Sequence, residues 1–305
     1  MSKKKPSDLV ASVKDRLLDI SHKKGEDYQL ILTRYAIERL LYRLSVSSYS
    51  KQFVLKGAML FSVWTRERYR PTRDLDLLGY GENSEPRLRK VFREICQEKV
   101  KPDGLEFDQD SISVREIRKD QEYQGQRIKF DARLGKARIK VQVDVGFGDV
   151  VKPSIKEIDF PVILKGFPVP RIRAYPKEAV VAEKAETLVR KGLVNSRMKD
   201  FYDLYAMAQL HDFDGPTLTE AVKATFQSRK TNVPKEMPLA LSDDLVDDRI
   251  KQLQWRAFVT KNKLEDGVKE LMEVIGSLRE FVMPILNAIA EDKLLKGHWR
   301  DGAWQ

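Results

Sequence analysis

The chain has few of the side chains that many enzyme classes require. It contains one cysteine, Cys96, and three histidines, His22, His211 and His298, among 305 residues. A single cysteine excludes an intrachain disulfide and a thiolate metal cluster. The histidines are scattered and show no zinc-binding spacing, which argues against a zinc enzyme and against a Ser-His-Asp hydrolase. Carboxylates must therefore carry any chemistry.

Long apolar runs are also missing. No stretch approaches the roughly 20 apolar residues that a membrane helix needs. The first residues, Met-Ser-Lys-Lys-Lys-Pro, lack the apolar core of a signal peptide. We therefore expect no membrane partner and a cytoplasmic location.

Charge, by contrast, is abundant and unbalanced. The formal net charge is +10, and most of the positive excess falls in residues 1–164. An excess of this sign is typical of a protein with a polyanionic partner, although it can also serve solubility alone.

A short stretch in the first third of the chain combines two signals. Residues 53–55 are β-prone and lead into Gly57, where the backbone can turn sharply and approach a ligand. The amides that follow open a predicted helix and would favour a phosphate. In a second predicted strand, Asp74 and Asp76 alternate with leucines and so share one face. Two carboxylates this close suit a shared hard cation such as Mg²⁺.

The segment from 105 to 146 changes to a period of two. Residues 127–134 and 138–145 each alternate apolar and polar side chains around a Gly135 turn, which predicts a β-hairpin with one polar face. That face carries Asp144 and five cations, Arg127, Lys129, Arg133, Arg138 and Lys140. Glycines directly after Asp144 permit close approach of a ligand, and Asp149 follows them as a weaker candidate.

The flanking regions are predicted to be mainly helical. Helical spacing covers 7–45, 86–97, 176–192, the segment from 195, and then 216–228, 243–260 and 264–294, with a kink at Pro284. Prolines between 153 and 176 predict a connector with a short strand at 161–163. Trp299 and Trp304 fall in a tail that we expect to be mobile.

Four motifs, in order, carry a resemblance to a known family. Gly57-Ala58 followed by Arg70-x-Thr72-x-Asp74-Leu75-Asp76 resembles the first motif of the AbiEii/AbiGii-type nucleotidyltransferase toxins, a MenT-like group within the DNA polymerase β-like superfamily. Val143-Asp144-Val145 resembles the second motif. The segment around Lys184 is similar to the third, and Lys199-Asp200-x-x-Asp203-Leu204 is similar to the fourth.

The resemblance implies a fold and a division of the chain. The implied class is α+β, a mixed α/β nucleotidyltransferase core with a small mixed sheet, N-terminal helices and a helical C-terminal domain. The corresponding segments are 1–50, 51–170 and 171–305.

The resemblance also implies site residues. Asp74, Asp76 and Asp144 would hold two Mg²⁺ ions and, with Lys184 and Asp200, form the catalytic set. The NTP would be bound by Gly57, Ala58, Thr72, Lys184 and Asp203. Ala58 departs from the Ser, Gly or Thr common at that position, which leaves the backbone amide as its contribution.

The implied activity is transfer of a nucleotide from an NTP to RNA, with tRNA 3′ ends as the expected acceptor. A toxin of this kind inhibits translation and growth, has a cognate antitoxin, and takes part in phage defence. Two alternatives stay open: transfer to a protein or small-molecule acceptor, and a nucleic-acid-binding regulator without catalysis. Asp74, Asp76 and Asp144, which we call the acidic trio, argue against the regulator, because clustered negative charge does not help bind a polyanion.

Overall fold

The computed structural model divides the chain into two compact units. The first comprises Met1–Gly148 with Lys156–Ala174, and the second comprises Asp149–Ile155 with Tyr175–Gln305. The division predicted from the sequence, at residues 50 and 170, stays a prediction. The structure describes residues 6–65, 70–119, 123–264 and 268–305.

Helical periodicity in the first unit produces the predicted helices. They are α1 (Pro6–Lys24), α2 (Tyr28–Val46), the short α3 (Phe61–Trp64) and α4 (Glu85–Gln97). Asp27 begins α2 as its N-cap, because its carboxylate accepts the amide of Leu30 at 2.9 Å. The apolar stripe of α4, which includes Cys96, is buried as its spacing predicts.

The strands of the first unit form one mixed sheet. They are β1 (Phe53–Lys56), β2 (Asp74–Gly79), β3 (Leu105–Lys119), β4 (Tyr123–Leu134), β5 (Ala137–Phe147), β6 (Lys156–Asp159) and β7 (Arg171–Ala174). Their spatial order is β3-β4-β5-β2-β1-β7-β6. The β2/β5 and β1/β7 pairs are parallel, and the other pairs are antiparallel. The α+β class predicted from the sequence is confirmed.

One face of this sheet is apolar and covered by helices. Helix α2 packs against β5 and β7, and α4 packs against β3. Alternate residues of the central strands are fully buried, namely Leu75, Leu77, Ile128, Phe130, Val143 and Val145. Because side chains alternate along a strand, the polar residues between them fall on the opposite face. That polar face carries the predicted carboxylates.

The second unit is mainly helical. Its helices are α5 (Lys177–Lys191), α6 (Met198–Leu210), α7 (Gly215–Ser228), α8 (Asp243–Asp247), α9 (Arg249–Asn262) and α10 (Leu271–Ala290). Helix α5 packs against α6 and α7, and α10 packs against the same two helices. Gly192 ends α5 with a positive φ of +51°, a backbone conformation that favours glycine.

The prediction of a mobile tail is wrong. Strands β8 (Phe213–Asp214), β9 (His298–Arg300) and β10 (Ala303–Trp304) form a small antiparallel sheet. Trp299 is 1% exposed, and its indole N–H donates to the carbonyl of Ala208 at 2.7 Å. Aromatic burial therefore fixes these residues in the second unit.

Three local predictions also need correction. No strand forms at 161–163; the strands of the connector, β6 and β7, lie on either side of it. The pattern over 243–260 yields two helices, because Asp248 caps α9 by accepting the amide of Ile250 at 2.7 Å. The helix predicted from 264 begins at Leu271, and Pro284 lies inside it.

The helices are too short or too polar to span a bilayer. This finding holds for the part of the chain that the structure describes, where no helix combines the length and the apolar character that a membrane crossing requires.

Candidate active site

Gly57 follows the last residue of β1 and has a left-handed backbone, with φ +73°. A Cβ at this position would lie 2.8 Å from the Cβ and Cγ atoms of Asp76 and would clash with the carboxylate. Both the backbone conformation and the space taken by Asp76 therefore require glycine here. The two signals found in the sequence, the glycine turn and the strand with two aspartates, are therefore in direct contact.

The segment after Gly57 is shorter than a phosphate-binding helix would be. It consists of one 3₁₀ turn, Gly57–Leu60, followed by the four-residue α3. Ala58 is buried, and the hydroxyl of Thr72 donates to the carbonyl of Asp74 at 3.4 Å. A role for Gly57, Ala58 and Thr72 in nucleotide binding stays a prediction.

The parallel pairing of β2 with β5 brings the predicted carboxylates together. Its register pairs Asp76 with Asp144 and Asp74 with Gln142. Partners across a parallel pair lie side by side, on strands about 4.8 Å apart, and Asp74 and Asp76 share a face because they are two residues apart. Asp74 is exposed, whereas Asp76 is half-buried. The three acids therefore occupy one region of the polar face.

Arg127 of β4 holds Asp144. Its Nε donates to Oδ1 at 2.8 Å and its Nη2 to Oδ2 at 2.7 Å, which is the paired geometry typical of guanidinium and carboxylate. The hydrogen bond to Asp144 raises the pKa of the Arg127 guanidinium, and the charges of Asp74 and Asp76 contribute to the same rise. Arg127 thus lies in the electric field of all three acids.

The strand registers place these groups in one row across the sheet. Lys56 pairs with Asp76, Asp76 with Asp144, Asp144 with Arg127, and Arg127 with Arg115. We call these five residues the charge row. Two neighbouring carboxylates repel each other, and in this row a cation adjoins them on each side. The sequence predicts the alternation within each strand but not this order across strands.

A basic surface continues from the charge row along the hairpin. Lys129, Arg133, Arg138 and Lys140 are exposed, and the register sets Lys129 opposite Gln142, two residues from Asp144. These residues share the polar face with Asp144. The predicted proximity of positive charge to the acidic trio is therefore present within the first unit.

The acids suit Mg²⁺ in their chemistry. Carboxylate oxygens are the hard donors that this ion prefers, and two of the three donors are neighbours by register. Within the described ranges, no three His, Cys, Asp or Glu side chains are arranged as a complete metal-binding group. Both oxygens of Asp144 are engaged by Arg127.

The other predicted site residues form a cluster in the second unit. Lys184 of α5 donates to Asp203 at 2.6 Å and to Asp200 at 3.2 Å, both on α6. Arg197 forms a further ion pair with Asp200 at 2.8 Å. Asp203 is 0% exposed and Asp200 is 3% exposed. Both acids are therefore buried ion-pair partners and not part of a solvated face of α6.

A second ionic cluster in this unit was not predicted. Arg229, at the end of α7, lies 3.1 Å from Asp149, 3.3 Å from Glu183 and 2.8 Å from Glu186. Burial alone would lower the pKa of Arg229, but the three carboxylates raise it well above its ordinary value. Asp149, the weaker metal candidate, is thus an ion-pair partner of a buried arginine. No local pattern joins residues so far apart in sequence.

A family comparison covers most of the chain. The model of the family described as "Nucleotidyl transferase AbiEii toxin, Type IV TA system" matches residues 39–274. That range includes every residue of the acidic trio and of the Lys184 cluster. No protein with a curated description matches the sequence.

Two solved structures resemble the fold. The crystal structure of JHP933 from Helicobacter pylori is 15% identical, with a TM-score of 0.50, and the match covers 87% of this chain and 95% of that one. A second H. pylori structure, described as a candidate nucleotidyltransferase, is 15% identical with a TM-score of 0.49, covering 88% and 99%. The likeness to JHP933 supports the fold alone.

The contact between Gly57 and Asp76 gives a first prediction. Gly57→Ala should destabilise the protein more than Gly81→Ala, because both glycines have positive φ but only Gly57 lacks room for a Cβ. The shared backbone strain costs about 1–2 kcal/mol, and the clash adds to it at Gly57 alone. Urea denaturation of the two variants measures the difference; equal losses would show that Asp76 moves aside freely.

The burial of Asp203 gives a second prediction. Lys184→Met should lower the free energy of unfolding by about 3–5 kcal/mol, because it leaves a buried carboxylate without its cation. Adding Asp203→Asn to this variant should restore part of the loss by removing that charge. Urea denaturation of both variants checks this, and a double variant no more stable than Lys184→Met would contradict it.

Proposed function

This chain belongs to the AbiEii family of nucleotidyl transferase toxins from type IV toxin–antitoxin systems, and we propose that it transfers a nucleotide from an NTP to RNA in a Mg²⁺-dependent reaction. The observation that carries the proposal is the register of β2 and β5, which makes Asp76 and Asp144 neighbours and sets Asp74 on the same face. The proposed acceptor is the 3′ end of tRNA, and the outcome is inhibition of translation and growth.

The acidic trio is the proposed metal-binding group. When bound by Asp74, Asp76 and Asp144, two Mg²⁺ ions would activate the acceptor hydroxyl and neutralise charge on the departing pyrophosphate. We propose that Asp144, which is held by Arg127, also helps to deprotonate the acceptor. Gly57 leaves room for the Asp76 carboxylate beside the end of β1.

The remaining candidates would bind the nucleotide. We propose that Lys184 contacts the triphosphate and that Asp200 and Asp203 hold its ammonium group in position, as their short contacts with it suggest. Backbone amides at Gly57 and Ala58, and the hydroxyl of Thr72, are further proposed contacts of the nucleotide. Phosphoryl transfer depends mainly on such positioning and charge.

The basic hairpin surface supports RNA as the acceptor. Four exposed cations on the polar face that carries Asp144 would bind a phosphate backbone. A cationic small molecule such as an aminoglycoside would be repelled by the same surface. Membership of the toxin–antitoxin family implies a cognate antitoxin as partner, and we propose action in the cytoplasm as part of phage defence.

Asp76→Asn should abolish nucleotidyl transfer while the protein stays folded. The amide keeps the shape of the side chain but cannot balance the charge of a metal ion, and a loss of several kcal/mol of transition-state stabilisation lowers the rate by about a hundredfold or more. The measurement incubates the protein with each labelled NTP, total RNA and Mg²⁺, and resolves the labelled products.

Asp110→Asn is the matched control, because it removes an exposed carboxylate from the same sheet and should leave transfer unchanged. Transfer by Asp76→Asn at the wild-type rate would contradict the metal site. If the label appears on a protein or a small molecule instead of RNA, the acceptor is not RNA and the alternative of a protein or small-molecule acceptor holds.

Reversal of two hairpin charges tests the RNA acceptor. Lys129→Glu with Lys140→Glu should weaken RNA binding and flatten its salt dependence by about 0.7 in log–log slope for each phosphate of a single strand that the variant no longer neutralises. Filter binding over a range of salt concentrations measures the slope. Lys90→Glu with Lys101→Glu changes the net charge equally at exposed positions outside this surface; an equal effect of both pairs would contradict a specific RNA surface.

A further inference from the structure

The bidentate contact between Arg127 and Asp144 affects how the acidic trio can bind a metal ion. Arg127 uses two nitrogens to engage both oxygens of the carboxylate, at 2.8 and 2.7 Å. The Asp144 side chain is only 12% exposed, whereas that of Arg127 is 39% exposed. Asp144 is thus enclosed, and the guanidinium is the partner with access to solvent.

Arg127 and a metal ion would compete for the carboxylate of Asp144. Arg127 occupies one lone-pair site on each oxygen, so a divalent cation would have to share this carboxylate with the guanidinium. A fixed positive charge this close also repels the cation. Coordination by Asp144 is therefore more favourable when the Arg127 guanidinium moves away.

The strand register limits where the released guanidinium can go. On its other side Arg127 is paired with Arg115 of β3, which is also cationic, so the neighbouring strand offers no carboxylate at that position. Two residues along its own strand lies the exposed Lys129. Two cations, Arg115 and Lys129, thus adjoin Arg127 away from the acidic trio, and such a group of cations suits a phosphate.

We propose that Arg127 is a positioning residue whose contact depends on the metal: it holds Asp144 in the cation-free protein and transfers to a phosphate group once Asp144 coordinates a cation. The phosphate belongs either to the NTP or to the RNA acceptor. This inference rests on the proposed function, because it takes the acidic trio as the metal-binding group.

Direct metal binding tests the inference without any turnover. Mn²⁺ affinity, measured by electron paramagnetic resonance without NTP or RNA, should increase severalfold in Arg127→Gln, because the competitor for Asp144 is gone. Arg127→Lys should lie between this variant and the wild type, since one ammonium group cannot hold both oxygens as a guanidinium does. Unchanged or weaker Mn²⁺ binding in Arg127→Gln would overturn the proposal and leave Arg127 a structural partner of Asp144.

Two control variants separate the loss of the guanidinium that binds Asp144 from a general loss of positive charge. Arg171→Gln breaks another cross-strand arginine–carboxylate pair in the same sheet, with Glu157, and should leave Mn²⁺ affinity unchanged. Lys129→Gln removes a cation near Asp144 that lies opposite Gln142 in the register. Its effect should be smaller than that of Arg127→Gln, and an equal effect would reduce the role of Arg127 to charge alone.

Thermal unfolding supplies a second readout. Without divalent cation, Arg127→Gln should unfold at a lower temperature than the wild type, because the ion pair is absent. At saturating Mn²⁺ this difference should shrink, because the pair is already broken in the wild-type protein. A difference in unfolding temperature that is the same with and without Mn²⁺ would overturn the proposal. If Arg127→Gln does not fold, the same comparison is made with Arg127→Lys.

Kinetics identify the source of the phosphate. At saturating Mn²⁺, Arg127→Gln should transfer nucleotide more slowly, and a rise in KM for the NTP or for RNA shows which phosphate Arg127 contacts. Transfer at the wild-type rate with both KM values unchanged would overturn the phosphate contact. If wild-type protein binds no Mn²⁺, the proposed metal site itself fails, whereas equal binding by wild type and Arg127→Gln defeats only the role of Arg127.

Discussion

The parallel pairing of β2 with β5 is the constraint on which the first unit depends. It sets Asp76 beside Asp144 on a half-buried face, where two negative charges repel each other. Lys56 pairs with Asp76 on one side and Arg127 pairs with Asp144 on the other, and these two cations offset the repulsion. Gly57 completes the arrangement by leaving the space that the Asp76 carboxylate occupies. A cluster that favours a cation is thus kept stable by cations of the protein itself.

Local patterns in the sequence were sufficient for most elements, and the resemblance to the family implied the fold class. The alternation around Gly135 predicted the hairpin, and the apolar spacing before Gly192 predicted α5 and its end. The family motifs identified the acids that the register then brings together. The sequence could not give the pairing of β2 with β5, because parallel strands are joined by long connections and leave no local signal of register. The bidentate contact of Arg127 with Asp144 follows from that pairing and was equally hidden.

Buried charge was harder to predict for a different reason. Asp200 and Asp203 look like solvated residues on a helix, and only the packing of α5 against α6 shows that Lys184 covers them. Arg229 draws its three carboxylates from two segments, Asp149 and helix α5. Groups of this kind disfavour any arrangement of the helices that separates the ion pair, since a buried charge would then lose its counter-charge. Composition and periodicity do not reveal such buried ion pairs.

The small sheet of the second unit has a consequence for how the protein is made. Trp299 reaches across to Ala208, 91 residues earlier in the chain, and packs on Phe281. During synthesis Phe213 and Phe281, which pack on each other, lack the contact with Trp299 until residues near 300 leave the ribosome. A chain interrupted before that point would expose an aromatic surface to chaperones and proteases.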